Sequence, residues 1–188
     1  MLNELIRQCR SVRRFDITNP VEPSVLSQIL ECVSALPSAA NLQRIRYAAV
    51  AGDRALSLFS GISLGGYLPV DKKPTPDVAP TAYIVLFAEQ RESDPNLFID
   101  IGIAAEAISL SARELGVATC IVRNFKKEVF ASLSNGKDLV PQLVLAMGYP
   151  QERVELIPVD EDASLKYFKG DDGINYVPKR SLDELILK

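Results

Sequence analysis

Hydrophobic residues near the start of the chain recur at the spacing of a helix face. The positions i, i+3, i+4 and i+7 of that face are Leu2, Leu5, Ile6 and Cys9. This spacing predicts a first helix over residues 2–11. A second helix face starts near Pro23, and the helix must stop before Pro37. We therefore predict a mainly helical N-terminal third.

Four short apolar segments predict the strands of a sheet. They are residues 47–51, 82–88, 117–122 and 139–147. Residues 82–88 are apolar throughout, which is typical of a central strand that is buried on both faces. A short helix over residues 126–133 is predicted between the last two strands.

Residues 97–115 predict a long helix that is apolar on nearly all sides and rich in Gly, Ala and Ser. A helix of this kind is buried in a globular protein. Because the chain is short, we expect a second copy of the protein to cover part of it. Charged residues within the segment argue against a membrane span, and Gly116 is expected to follow its C-terminus as a cap.

Two segments lack such periodicity. Residues 60–80 contain four clusters of Gly or Pro and predict a long irregular loop, with 65–68 as a candidate lid and Tyr67 as a candidate stacking residue. Residues 160–188 are polar and end in a short amphipathic turn.

Strands and helices alternate after the helical N-terminal third, which favours an α+β fold. The length predicts a single domain over residues 1–188.

Composition excludes several classes of protein. The 188 residues include no histidine, which excludes Ser-His-Asp and Cys-His hydrolysis and HExxH zinc chemistry. The net charge of −3 gives no general attraction to nucleic acid or to a membrane surface, and we expect neither partner.

Three distant cysteines have no metal-binding spacing and are expected to be free thiols in a reducing compartment. With no signal-peptide pattern at the N-terminus, we expect a cytoplasmic location.

The strongest charge cluster contains four arginines within eight positions: Arg7, Arg10, Arg13 and Arg14. Such a cluster suits either a solvated helix end or a bidentate clamp on a phosphate. The chain contains neither GxGxxG nor GxxxxGK[ST]. Any phosphate must therefore be held by side-chain charge or by isolated helix ends.

Two further clusters carry candidate chemistry. Residues 37–43 supply an Asn and a Gln, whose amides can pair with the mixed donor and acceptor edge of a heteroaromatic ring. An ordinary Ser/Asn turn is the alternative. Lys179 and Arg180 form a basic pair near the C-terminus that alone indicates only solvated charge.

Together these clusters belong to five motifs whose order resembles the FMN-dependent nitroreductase family. The resemblance extends over residues 3–187. The motifs are RSVRRF at 10–15, PSAANLQ at 37–43, DIGIAAE at 100–106 leading to LGVATC at 115–120, LAMGYP at 145–150, and YVPKRSL at 176–182.

The resemblance implies a nitroreductase-like central sheet flanked by helices, in an intertwined homodimer with two FMN sites at the interface. NADH or NADPH would deliver hydride to flavin N5. A small flat acceptor, such as a nitroaromatic or a quinone, would then take the electrons in ping-pong order, with no catalytic residue beyond the cofactor. The alternatives are a flavin-binding sensor or FMN reservoir without significant turnover, and a dimeric scaffold that has lost FMN.

The same motifs imply the cofactor-binding residues. Arg10, Ser11 and Arg13 would hold the FMN phosphate and the ribityl or pyrimidine oxygens, and Arg180 with Lys179 would reach the same phosphate. The other implied residues are Ser38, Ala39, Asn41 and Gln43 from the other chain, and Cys120 and Ile121 along the ring.

Two positions depart from the family pattern. Related sequences often have another arginine where this chain has Cys9. They usually follow the Asn-x-Gln element with Pro and an aromatic residue, where this chain has Arg44 and Ile45. The first departure concerns one phosphate contact. The second concerns the shape of the loop beside the flavin, and therefore the substrate.

Overall fold

The computed structural model describes residues 1–89 and 94–187 of the chain. Its strands are β1 (Arg46–Ala51), β2 (Ala82–Ala88), β3 (Ala118–Val122), β4 (Val140–Gly148), β5 (Val154–Pro158), β6 (Phe168–Lys169) and β7 (Asn175–Lys179). Its α-helices are α1 (Leu2–Gln8), α2 (Pro23–Leu30), α3 (Gly52–Ser57), α4 (Pro95–Glu114), α5 (Lys127–Ala131) and α6 (Leu182–Leu185). This mixture of helix and sheet confirms the predicted α+β class.

A four-stranded antiparallel sheet with the order β1-β2-β4-β3 forms the centre of the fold. Every residue of β2 is buried, as the sequence predicts for a central strand. Ile84 and Leu86 pack on the side of the sheet that α2 and α4 cover. Tyr83 and Val85 point to the opposite side and pack with Phe130 of α5. The continuous apolar run therefore reflects a core on both faces of the sheet.

The long helix α4 packs across one face of this sheet. The carboxylate of Asp94 caps its first turn by accepting from the backbone N–H groups of Asn96 and Leu97 at 3.0 and 3.3 Å. Gly116 adopts a φ of +78° just beyond its end, which confirms the predicted C-terminal cap. At the start of α4, the part of the chain that the structure describes leaves Phe98 and Ile99 54% and 59% exposed.

The N-terminal segment leaves its helix earlier than the sequence predicts. The prediction that the first helix reaches Ser11 is wrong, because α1 ends at Gln8. Beyond it the chain extends along the edge of the central sheet. Ser11 forms a parallel bridge with Thr119, and the backbone N–H of Val12 donates to the Thr119 carbonyl at 3.0 Å. Pairing with β3 therefore replaces the last helical turn.

The second helix and the long loop follow the sequence more closely. After α2, a 3-10 helix over Glu31–Ala35 continues the helical path and ends before Pro37, as predicted. Residues 60–80 contain short 3-10 turns and neither an α-helix nor a strand, which confirms the irregular segment.

The C-terminal part is more ordered than the predicted polar tail. A second sheet has the order β5-β7-β6, with β5 and β7 parallel and β6 and β7 antiparallel. Only the final amphipathic turn, now α6, was expected. The strands escaped prediction because polar residues interrupt them and Pro178 lies within β7.

Candidate functional site

Residues 10–15, which we call the arginine segment, lie against β3. The resemblance places this strand along the flavin. The Ser11–Thr119 bridge puts Ser11 beside β3, one residue before Cys120. The two β3 residues then face opposite ways. Cys120 is buried in the core and burial raises the pKa of its thiol, whereas Ile121 is 44% exposed. An exposed apolar side chain thus borders the arginine segment, and Cys120 can face a ligand there only through its backbone.

Arg10 has one buried donor that no described residue accepts. One of its terminal nitrogens, Nη2, donates to the Ile6 carbonyl at 2.6 Å, which fixes the guanidinium against α1. Its Nε is buried and has no hydrogen-bond partner among the described residues. Leaving a buried charged donor unpaired costs about 1–3 kcal/mol or more. This group therefore fits an anionic acceptor.

Arg13 is held on three sides. Its backbone N–H donates to Glu152 Oε1 at 2.5 Å, and its Nη1 donates to the Ser11 carbonyl at 3.1 Å. Its guanidinium lies over the ring of Tyr167, 4.2 Å from the centroid. A cation placed over an aromatic face is attracted by about 0.5–2 kcal/mol. Tyr167 itself contacts Tyr67, with ring centroids 5.2 Å apart.

Tyr67, the candidate stacking residue, is 62% exposed in this arrangement. Its backbone N–H donates to the hydroxyl oxygen of Tyr167 at 3.3 Å. The predicted loop therefore contacts the C-terminal segment at Tyr167, the residue that packs on Arg13.

A buried carboxylate that the sequence analysis missed joins the arginine segment to β7. The Glu152 side chain is 3% exposed. Besides the Arg13 N–H, it accepts from Asn175 Nδ2 at 2.5 Å and lies 3.9 Å from Arg14 Nε. Burial and the nearby charge of Arg14 lower the pKa of the Lys169 amine, and the charge of Glu152 partly opposes this shift. Nothing in the local sequence marks Glu152, because its partners lie far away along the chain.

The second predicted cluster forms a strained loop. Ala40, Asn41 and Gln43 have φ values of 49°, 53° and 45°. A non-glycine residue in this region costs about 1–3 kcal/mol. The Gln43 backbone N–H donates to Ser38 Oγ at 3.1 Å, and Gln43 Nε2 donates to Asn41 Oδ1 at 3.1 Å. Both amides therefore lie together on an exposed loop.

Two charged residues lie behind this loop. Asp100 of α4 is 3% exposed, and its Oδ1 accepts from the Ala39 backbone N–H at 2.9 Å. Arg44 forms an ion pair with Asp94, and its Nη2 is 3.8 Å from Asp100 Oδ2. The hydrogen bond from Arg44 lowers the pKa of Asp94. Arg44, seen in the sequence only as a departure, is thus an internal partner of α4.

The third predicted cluster has partners of its own. Arg180 Nη1 donates to the Glu161 carbonyl at 2.9 Å and lies 3.8 Å from Glu184 Oε2. Lys179 is exposed at the end of β7. Within the described residues of one chain, no hydrogen bond or ion pair joins Arg180 or the 38–43 loop to Arg10 or Arg13. The structure therefore brings Arg10, Ser11 and Arg13 together with β3, whereas each of the other two clusters bonds to partners of its own.

Comparison with known proteins is consistent with this geometry. The family model described as "Nitroreductase family" matches residues 6–149. The chain belongs to the nitroreductase family. No curated protein matches it.

Solved structures of family members share the fold. A nitroreductase family protein from Streptococcus pneumoniae TIGR4 is 17% identical, with a TM-score of 0.68 and 100% of each chain covered. A nitroreductase from Desulfovibrio desulfuricans in complex with FMN is 21% identical, with a TM-score of 0.65 and coverage of 100% of this chain and 95% of that one. The FMN-dependent nitroreductase NfnB from Mycobacterium smegmatis, in complex with NADPH, is 15% identical, with a TM-score of 0.64 and coverage of 80% and 87%.

Among the described residues, no group of three or more Cys, Asp or Glu side chains is arranged to hold a metal ion. In the same part of the chain, no helix is long and apolar enough to cross a bilayer.

Proposed function

We propose that this chain is an FMN-dependent NAD(P)H oxidoreductase. When bound, the flavin would supply the redox chemistry: it would take hydride at N5 from NADH or NADPH and pass electrons in ping-pong order to a small flat acceptor such as a nitroaromatic or a quinone. The protein's part is to bind the cofactor and to orient both substrates. Family membership and the FMN found with a similar fold support this proposal.

One observation carries the proposal: Arg10, Ser11 and Arg13 lie together along β3. The unpaired, buried Nε of Arg10 fits a phosphate oxygen, and the exposed Ser11 can donate a hydroxyl beside it. Ile121 supplies an apolar surface next to this polar group, as a flat aromatic ring requires. The donor set thus fits a flavin mononucleotide, whose polar tail and apolar ring need different neighbours.

We further propose that the site is completed by a second copy of the chain. Phe98, Ile99 and Gly102 form an exposed face of α4, and a Cβ at Gly102 would meet nothing within 4 Å. Contiguous apolar surface of this kind indicates an interface. The exposed loop carrying Asn41 and Gln43 adjoins the same helix through Asp100. A homodimer built on α4 would bring this loop to the other chain's Arg10 and Ser11.

The decisive experiment is an absorbance spectrum of the purified protein, before and after anaerobic addition of NADH and then NADPH. We expect an oxidised-flavin spectrum that bleaches with at least one donor. A flavin spectrum that neither donor bleaches would favour the sensor or reservoir function. If the protein holds no flavin and binds none when FMN is added, the oxidoreductase proposal is wrong.

A further inference from the structure

The loop over residues 38–43 has a conformation that its own sequence does not favour. Ala40 and Gln43 both have positive φ, although neither is a glycine. Such conformations persist only where surrounding contacts over-determine them. The bonds from Gln43 to Ser38 and Asn41 lie within the loop and move with it. Contacts from outside the loop must therefore fix where it stands.

Those outside contacts come from the first two turns of α4 and hold both ends of the loop. At the start, Asp100 Oδ1 accepts the Ala39 backbone N–H at 2.9 Å. At the end, Arg44 pairs with the helix cap Asp94 and lies 3.8 Å from Asp100 Oδ2. The Asp100 side chain is 2% exposed and that of Arg44 is 14% exposed, so water screens this pair only weakly.

We propose that Asp100, supported by Arg44, is a positioning residue of the cofactor site, which holds the 38–43 loop in the conformation that presents Asn41 and Gln43 to the flavin of the other chain. The inference rests on the proposed function. It assigns no contact between Asp100 and the flavin, because the carboxylate is buried behind the loop. Its effect is transmitted through one hydrogen bond to Ala39.

The position of Asp100 on α4 links the loop to the proposed interface. The same helix carries the exposed face of Phe98 and Ile99 that we expect to contact the second copy. A loop fastened to that helix keeps a fixed position relative to the interface, and so relative to the other chain's site. Arg44 completes this attachment at the end of the loop, through Asp94 and Asp100.

The test is a double-mutant cycle on the two partners of this hydrogen bond. Asp100→Ala removes the acceptor. Ala39→Pro removes the donor N–H, at the first position of a 3-10 turn where proline is tolerated and after an extended Ser38. We expect each single variant to weaken FMN binding about tenfold or more, as for hydrogen bonds to charged groups. The double variant should be no weaker than the weaker single one, because both changes break the same bond.

Three readouts separate positioning from general stability: FMN affinity by flavin fluorescence, the visible circular dichroism of bound flavin, and the melting temperature. Asp100→Asn keeps an acceptor for the Ala39 N–H and should restore most of the affinity, whereas Glu114→Ala on the same helix should change none of the three. Wild-type FMN affinity in Asp100→Ala, or effects that multiply in the double variant, would overturn the proposal. If Asp100→Ala does not fold, Ala39→Pro with unchanged FMN affinity would overturn it alone.

The loop can also be observed without flavin. Hydrogen exchange of the Gln43 amide, which is bonded to Ser38 Oγ, should be slow in the wild-type protein and faster in Asp100→Ala. Equal exchange in both proteins would overturn the positioning role. A wild-type protein that binds no FMN but shows this difference would overturn the proposed function and the role toward the flavin, and would leave only the finding that Asp100 holds the loop.

Discussion

At the scale of single residues, the unpaired Nε of Arg10 gives the sharpest prediction about cofactor binding. We expect Arg10→Ala combined with Arg180→Ala to lower FMN affinity by at least about 100-fold, since each lost charge-assisted hydrogen bond is worth about 1.5–3 kcal/mol. Equilibrium titration of flavin fluorescence measures this. Arg7→Ala, an exposed arginine of the same cluster, is the matched control. Unchanged FMN retention in the double variant would contradict the phosphate clamp.

The single variant Arg180→Ala tests whether Arg180 itself contributes to FMN binding. Within one chain, Arg180 pairs with Glu184 near the surface. Because exposed ion pairs contribute about 0–1 kcal/mol, Arg180→Ala should leave the melting temperature nearly unchanged. A loss of FMN affinity in that variant would therefore report on the phosphate.

Another residue-scale prediction concerns Tyr83, in the middle of β2. Its ring is fully buried, and its hydroxyl has no hydrogen-bond partner in the described part of the chain. Desolvation raises the pKa of this phenol strongly. Tyr83→Phe removes an unpaired polar group, so we expect the free energy of unfolding to increase by about 1 kcal/mol. Denaturant unfolding measures it, with the exposed Tyr67→Phe as control. A decrease would mean that the hydroxyl has a partner in solution.

At the scale of elements, the close approach between the arginine segment and β4 depends on Gly148. A Cβ at this position would stand 2.8 Å from Phe15 Cδ1 and 2.9 Å from Phe15 Cβ. Phe15 is fully buried and cannot withdraw. We expect Gly148→Ala to destabilise the fold by about 1–3 kcal/mol, as overpacking does. Thermal unfolding measures the effect, and Gly66→Ala, where a Cβ meets nothing within 4 Å, should not share it.

The elements also show where sequence patterns suffice. The strands of the central sheet were predicted within one or two residues, because burial on one or both faces leaves continuous apolar runs such as 82–88. The end of α1 was wrong, because Ser11 pairs with Thr119, which no local pattern reveals. β5 and β7 were missed because each is half-exposed, and β7 contains a proline.

At the scale of the whole molecule, the candidate site also combines residues that a local motif reveals with residues that only the fold brings together. Arg10, Ser11 and Arg13 could be named from a local motif, and the structure sets them beside β3. Glu152 could not be named, because it accepts the Arg13 N–H across 139 residues of sequence. Tyr167 could not be named either, because only the fold packs its ring against the Arg13 guanidinium. Contacts between distant segments are fixed by topology, which a single sequence does not display.

The last prediction joins the interface to the cofactor. Phe98 and Ile99 expose more than half of their side chains on α4, and the loop clamped by Asp100 adjoins the same helix. If a second copy covers this face, Ile99→Arg buries an unpaired charge there, which costs several kcal/mol. We expect a monomer of 20.6 kDa by light scattering in place of a species of twice that mass.

We expect the same variant to lose FMN as well. The reason is that a monomer lacks the loop that the second copy contributes. Leu56→Arg, which introduces the same charge at an exposed apolar position of α3, should retain both the dimer and the flavin. A monomeric Ile99→Arg protein that binds FMN with wild-type affinity would show that one chain suffices for the site, and an unaltered dimer would place the interface on another face.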